Sequence, residues 1–168
     1  SIARAMTNRW CHFDAVERLP LEAPAGRRIR LGYLSGDFHA HATCVLMAEL
    51  FEHHDKTQFE VFAYSHGPNE KSAMRTRVEA AIEHFVDVRA LPIRDIAKRI
   101  ADDRIDILID LKGHTAGNRL EVFAYRPAPV QVTFLGFPGT TGGEFMDYII
   151  GDEIVTPLAH AAHFSEKI

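Results

Sequence analysis

The sequence predicts an α/β fold: a Rossmann-like, mostly parallel sheet with helices on both faces. Two observations point there. Short apolar runs alternate with helical stretches along the chain, the order that gives parallel strands joined by crossover helices. The runs are nearly continuous rather than alternating in polarity, as strands covered on both faces require. No internal repeat or low-complexity segment interrupts this order.

Residues 1–19 carry a helical pattern, with Ile2, Met6, Trp10 and Phe13 recurring at spacings of three and four. Pro20 and Pro24 break it, and residues 21–28 read as a linker. A strand follows over 29–35. Residues 43–54 form a helix with Val45, Leu46, Leu50 and Phe51 on one face. Strand 59–64, helix 72–82 and short strand 85–88 come next. Pro92 opens a helix over 93–101. Strand 106–111 is apolar through Ile107, Leu108 and Ile109. A short helix over 120–125 closes before Pro127, and strands run over 130–135 and 148–151. Pro157 opens a last helix. The division is a helical linker, residues 1–28, and one α/β unit, residues 29–168.

Composition excludes several classes. The chain of 168 residues is long enough for one domain with a real core. Its formal net charge of -4 leaves no basic footprint for nucleic acid. No apolar run approaches the ~20 residues of a membrane span, and no secretory signal is visible. Cys11 and Cys44 lack metal spacing and read as free thiols of a reducing, cytoplasmic compartment. The first residue is not Met, and both ends look cut from something longer. Histidine is the outlier, with 10 residues.

In a parallel sheet the carboxyl ends of the strands share one rim, where ligands bind. That rim is expected to hold residues 37–43, 65–69, 112–117 and 136–143. The first turn has Gly36 as its only glycine, so the dinucleotide fingerprint is absent. His41 is the first candidate for catalysis. It stands just before a helix, with Thr43 as the expected N-cap. The positive helix end favours a neutral imidazole, which can accept a proton or contact a substrate hydroxyl. Asp37 is the candidate to hold that imidazole or to take a proton through water. The structural alternatives are a histidine that packs the turn and an Asx-type turn at Asp37. The His39–His41 pair, on an extended segment, would suit Zn²⁺ with Asp110 or His114 added, as in a metal-dependent hydrolase. His114, between Gly113 and Gly117, is a candidate ligand contact. The loop through Leu135, Gly136, Phe137 and Pro138 can present backbone N–H groups to a sugar or phosphate. His53, His54, His160 and His163 read as structural or solvated.

Taken together these segments resemble the start of the catalytic region of protein O-GlcNAc transferases. The likeness is carried by IRLGYLSGDFHAH from Ile29, FEVFAY from Phe59, ILIDLKGHT from Ile107, RPAPVQ from Arg126, LGFPGT from Leu135 and FMDYII from Phe145. The Tyr-like Phe164 in Phe-Ser-Glu-Lys extends it. The resemblance implies the first lobe of a GT-B glycosyltransferase, preceded by tetratricopeptide repeats that residues 1–28 join to it. It implies inverting, metal-independent transfer of GlcNAc from UDP-GlcNAc to Ser or Thr hydroxyls, with a second lobe holding most UDP contacts. By position, His41 matches the family histidine discussed as base or sugar contact, and Asp37 the aspartate proposed to take the proton through water. Thr43 and the Leu135–Gly136–Phe137–Pro138 segment match residues lining the GlcNAc pocket. Ala40, Ala42 and His114 stand where the animal pattern has asparagine, proline and tyrosine, as in a bacterial member. Protein O-fucosyltransferases that use GDP-fucose share the scaffold.

Overall fold

The computed structural model describes residues 2–8 and 26–168. Helix α1 spans Ile2–Asn8, and the α/β order then runs β1 Ile29–Ser35, α2 Ala42–Glu52, β2 Phe59–Ser65, α3 Ala73–Ala81 and β3 His84–Asp87. It continues through α4 Ile93–Asp102, β4 Ile107–Asp110, α5 Glu121–Ala124, β5 Val130–Phe134 and β6 Tyr148–Ile150. The last helix expected after Pro157 is a 3₁₀ stretch, Leu158–His163, with His160 and His163 exposed. Of the helix expected over residues 1–19, Ile2–Asn8 is helical, and Ile2 and Met6 are exposed rather than packed. Trp10, Cys11, Phe13, Pro20 and Pro24 lie outside the described residues. Among the described residues no helix is long and apolar enough to cross a membrane.

The strands form one sheet in the order β3-β2-β1-β4-β5-β6, and every pairing is parallel. Residues alternate between its two faces. Leu31, Tyr33, Val61, Ala63, Ile109 and Val132 pack under α2 and α3 through Met47, Phe51 and Val78. Leu34, Phe62, Tyr64 and Leu108 point the other way, onto Ile96 and Ile100 of α4 and Val122 and Phe123 of α5. Near-continuous apolar strands are thus buried on both sides, as the sequence predicts.

Helix α2 corrects one expectation. Its buried stripe is Thr43, Cys44, Met47, Ala48 and Phe51. Val45 and Leu46, expected on the core face, are 65% and 66% exposed. The helix is apolar almost all round, so periodicity does not choose its face. Two stripes are eligible, and the one aligned with the sheet wins. The other helices open as their sequences suggest. Ser72 accepts the N–H of Arg75 at 3.1 Å to cap α3, and Pro92 stands at the start of α4.

The Arg126–Gln131 motif is architectural. The Arg126 guanidinium donates to the Phe145 carbonyl at 2.6 Å and to Asp147 at 3.0 Å. Asp147 also accepts the N–H of Gln131 at 2.8 Å, and the Gln131 amide donates to the carbonyls of Phe123 and Phe145. These bonds tie α5, β5 and β6 together and fix where the loop after β5 emerges.

Candidate active site

Strands β1 and β4 are neighbours at the centre of the sheet, yet their crossovers leave in opposite directions. The chain passes from β1 to α2 on one face and from β4 to α5 on the other. Where crossovers diverge, a crevice opens at the carboxyl ends of the strands. The turn after β1 and the turn after β4 are its two walls.

The first wall is tightly wound. The N–H of Asp37 is bonded to Ser35 Oγ at 3.0 Å. The N–H of His39 then bonds to the Asp37 carbonyl at 2.8 Å, and that of His41 to the His39 carbonyl at 2.7 Å. These successive three-residue turns replace the extended segment expected for His39 and His41. Phe38 anchors them, buried with its ring against Phe51 and Phe85. Burying such a ring contributes about 1.5–3 kcal/mol. The Arg75 guanidinium and the Cys44 thiol, pushed up to about 11 by burial, donate to the carbonyls of Phe38 and Asp37.

His41, not Thr43, is the N-cap of α2. Its backbone is extended, and its Nδ1 accepts the Thr43 N–H at 3.2 Å. The Thr43 hydroxyl lies 3.1 Å from the same nitrogen. An Nδ1 that accepts an N–H carries no proton, so in the neutral ring the proton is on Nε2. Nε2 has no hydrogen-bond partner among the described residues, and the ring is exposed at the mouth of the crevice.

Asp37 lies near that ring and is bound elsewhere. Its Oδ2 is 3.7 Å from His41 Nδ1, beyond a hydrogen bond. Both of its oxygens lie 2.8 Å from Nζ of Lys112, on the opposite wall. Each side chain is nearly buried. Sequence reasoning missed Lys112 as a site residue. The signal was present: a lysine stands two residues past a buried strand and directly before Gly113.

The second wall is held by Asp110. Its carboxylate accepts the N–H groups of Lys112 and Gly113 at 3.0 and 2.7 Å and the Thr133 hydroxyl at 3.2 Å. Burial pushes this carboxyl up to about 6, against those donors. His66, at the end of β2, completes the floor. A side chain on Gly36 would meet the His66 ring at 3.0 Å and Lys112 Cδ at 3.6 Å. A larger residue at Gly36 would thus crowd the imidazole and lie in ordinary contact with the lysine stem. Burial, with the charges of Arg119 and Lys112, pulls His66 down to about 4, so it is neutral.

The loops after β4 and β5 interlock. A side chain on Gly136 would strike the Leu111 carbonyl and the Lys112 backbone, and one on Gly113 would strike Phe137. The space beside Gly136 therefore belongs to protein backbone and not to a ligand. Leu135, just before it, adopts a left-handed conformation with φ 68°, an unusual geometry for a branched residue, and its side chain is exposed beside the exposed Pro138. His114 packs edge-on against Phe137 at 5.4 Å, and its Nε2 donates to the Thr141 carbonyl at 2.8 Å. The buried Glu166 carboxylate binds the N–H and hydroxyl of Thr141 and the hydroxyl of Thr140, locking the loop to the C-terminal segment. Asp37, His41 and Thr43 are thus one cluster, and His114 with residues 135–138 another. Lys112 joins them, with its side chain on Asp37 and its backbone against Gly136.

The components named for a zinc site do not converge. The His39 and His41 rings are 5.5 Å apart, Asp110 is turned to backbone amides, and His114 is held by Thr141. Among the described residues no group of three His, Cys, Asp or Glu side chains is placed to hold a metal ion.

Comparison with known proteins agrees with this geometry. A probable UDP-N-acetylglucosamine--peptide N-acetylglucosaminyltransferase SEC of Arabidopsis thaliana is 45% identical over 151 residues, covering 89% of this chain and 16% of its own length. A UDP-N-acetylglucosamine--peptide N-acetylglucosaminyltransferase of Caenorhabditis elegans is 45% identical over 144 residues, covering 85% of this chain and 12% of its own. An O-GlcNAc transferase mutant from Thermobaculum terrenum superposes with a TM-score of 0.88 at 33% identity, over 99% of this chain and 32% of that one. This chain therefore spans a minor part of the proteins it matches. Its sheet order, its paired walls at the switch point and a family model matching residues 10–168 agree, and the chain belongs to glycosyl transferase family 41.

Proposed function

We propose that this chain is the first lobe of a metal-independent, inverting glycosyltransferase that moves GlcNAc from UDP-GlcNAc to Ser or Thr hydroxyls of proteins. The observation that carries this reading is the 45% identity, over 89% of the chain, with a relative bearing that activity in its name. In the reaction the acceptor oxygen bonds to C1 of the sugar as the bond from C1 to the diphosphate breaks, its electron pair leaving with UDP. The hydroxyl proton passes through a water to the Asp37 carboxylate. His41 acts as a donor through Nε2–H, toward a sugar or acceptor oxygen, because its Nδ1 lone pair already serves Thr43. Thr43 works through the ring it orients. Leu135 and Pro138 present the exposed edge of the GlcNAc pocket, Gly136 and Phe137 set its shape, and His114 keeps Nδ1 as its free acceptor. A second lobe supplies most UDP contacts, residues 1–28 join tetratricopeptide repeats to the lobe of residues 29–168, and the enzyme works in the cytoplasm without a cofactor.

The test uses the complete enzyme. UDP-GlcNAc should raise its melting temperature more than GDP-fucose, since a ligand that binds only the folded state stabilises it by mass action. Label should pass from UDP-GlcNAc to a protein acceptor in EDTA, while this chain alone transfers none, because the reacting atoms must be brought together between two lobes. Stabilisation and transfer by GDP-fucose instead would replace the donor. Activity lost in EDTA and restored by Zn²⁺ would replace the mechanism.

A further inference from the structure

Resting on the transferase reading above, we infer that Lys112 is a positioning residue for sugar transfer, whose ammonium holds the Asp37 carboxylate in one place across the switch-point crevice. Asp37 and Lys112 occupy opposite walls, one after β1 and one after β4. The ammonium bridges both carboxylate oxygens at 2.8 Å, and neither charged group has another hydrogen-bond partner among the described residues. A carboxylate held on both oxygens cannot swing, and fixed placement of a reacting group is a large part of catalytic advantage.

The lysine is itself held. Its N–H is bound by Asp110, and its carbonyl accepts the Thr115 hydroxyl at 2.8 Å and the Thr115 N–H at 3.2 Å. Its backbone rests against Gly136, and its stem passes beside Gly36 and His66. The buried side chain thus reaches Asp37 from a rigid base. The charged and titratable groups around the pair are His41 just before α2, Cys44 from α2, His66 just after β2, Asp110 from β4, Arg119 ahead of α5 and Arg75 from α3. Stability alone gives little reason for such a pair, because buried ion pairs are often no better than apolar residues of the same volume.

The test is Lys112→Ala in the complete enzyme, assayed with both substrates saturating. The expected result is kcat lower by at least about tenfold, less than the roughly 10²–10⁴ lost with a catalytic proton acceptor because Asp37 itself remains, with a smaller change in donor KM. Butylammonium in the buffer should restore part of kcat, and butanol, which has a similar shape without the charge, should not. An unimpaired kcat in folded Lys112→Ala, or equal rescue by butanol, would overturn the inference by reducing Lys112 to packing. Should Lys112→Ala fail to fold, Lys112→Gln decides. A lowered kcat with donor KM little changed, in protein still folded at the assay temperature, supports positioning by charge, and a wild-type kcat rejects it. A wild-type enzyme that transfers no sugar is a different outcome, since it defeats the transferase reading itself.

Discussion

Nδ1 of His41 accepts the backbone N–H of Thr43 at 3.2 Å, so one imidazole both caps α2 and faces the crevice. The two roles use different nitrogens, and substitution can separate them. His41→Ala should cost about 1 kcal/mol of stability through the lost cap. In the complete enzyme it should also lower kcat by about 10²–10³, the usual loss when one preorganised donor is removed. His41→Asn should recover the melting temperature, because Asn is a good N-cap, and should leave kcat low. Recovery of kcat with stability would show that the imidazole matters only as a cap.

Gly136 gives a prediction that reverses the simple sequence expectation. A glycine in a pocket loop suggests that a larger residue would exclude the sugar and spare the fold. Here the space is occupied by the Leu111 carbonyl and the Lys112 backbone. Gly136→Val should therefore destabilise the loop pair itself, by at least about 1–3 kcal/mol as for other overpacked sites. Thermal unfolding of the isolated chain measures this. An unchanged melting temperature would mean that the two loops do not interlock.

The Asp37–Lys112 pair predicts strong non-additivity in stability. Removing one partner strands a buried charge, so Asp37→Leu or Lys112→Met alone should cost about 3–5 kcal/mol. The double variant Asp37→Leu with Lys112→Met should be nearer wild type than either single change, as buried pairs replaced by apolar residues often are. Denaturant melts of all variants form the cycle. Additive losses would show that the two charges are stabilised independently.

His66 predicts a pH dependence with a definite sign. Burial pulls its folded pKa to about 4, from an ordinary 6.5. Above pH 6.5 the imidazole is neutral folded or unfolded, and its contribution is complete. As pH falls from 6.5 to about 4 the unfolded chain binds a proton that the folded chain refuses, and stability is lost. Across that window the stability of wild type relative to His66→Gln should drop by up to about 3 kcal/mol. The difference is the quantity to measure, because Asp110, raised to about 6, acts with the opposite sign in much of the same range. A flat difference between pH 7 and 4 would place His66 in water.

Sequence alone determined the layers, the strand sequence and the rim. Period and polarity are local properties, and β1, β2 and β5 begin where their apolar runs begin. That Asp37, His41 and Thr43 lie together was legible because one short turn contains all three. The identities within that turn were less so. Thr43 is a better cap than His41 by residue type, but the three-residue turns that begin at Asp37 and His39 bring the imidazole, not the hydroxyl, over the first free N–H groups.

Only the tertiary structure decided the rest, because the deciding contacts join distant parts of the chain. The face of α2 was settled by the sheet beneath it, since both of its stripes are apolar. Lys112 meets Asp37 only when β4 inserts beside β1, bringing together residues 75 positions apart. Gly136 is confined by Leu111 only because β5 lies next to β4. Hydrophobic periodicity records which surface is buried and carries no information on which strand becomes its neighbour. The neighbour decides whether a charged side chain after a strand faces water or an opposite charge.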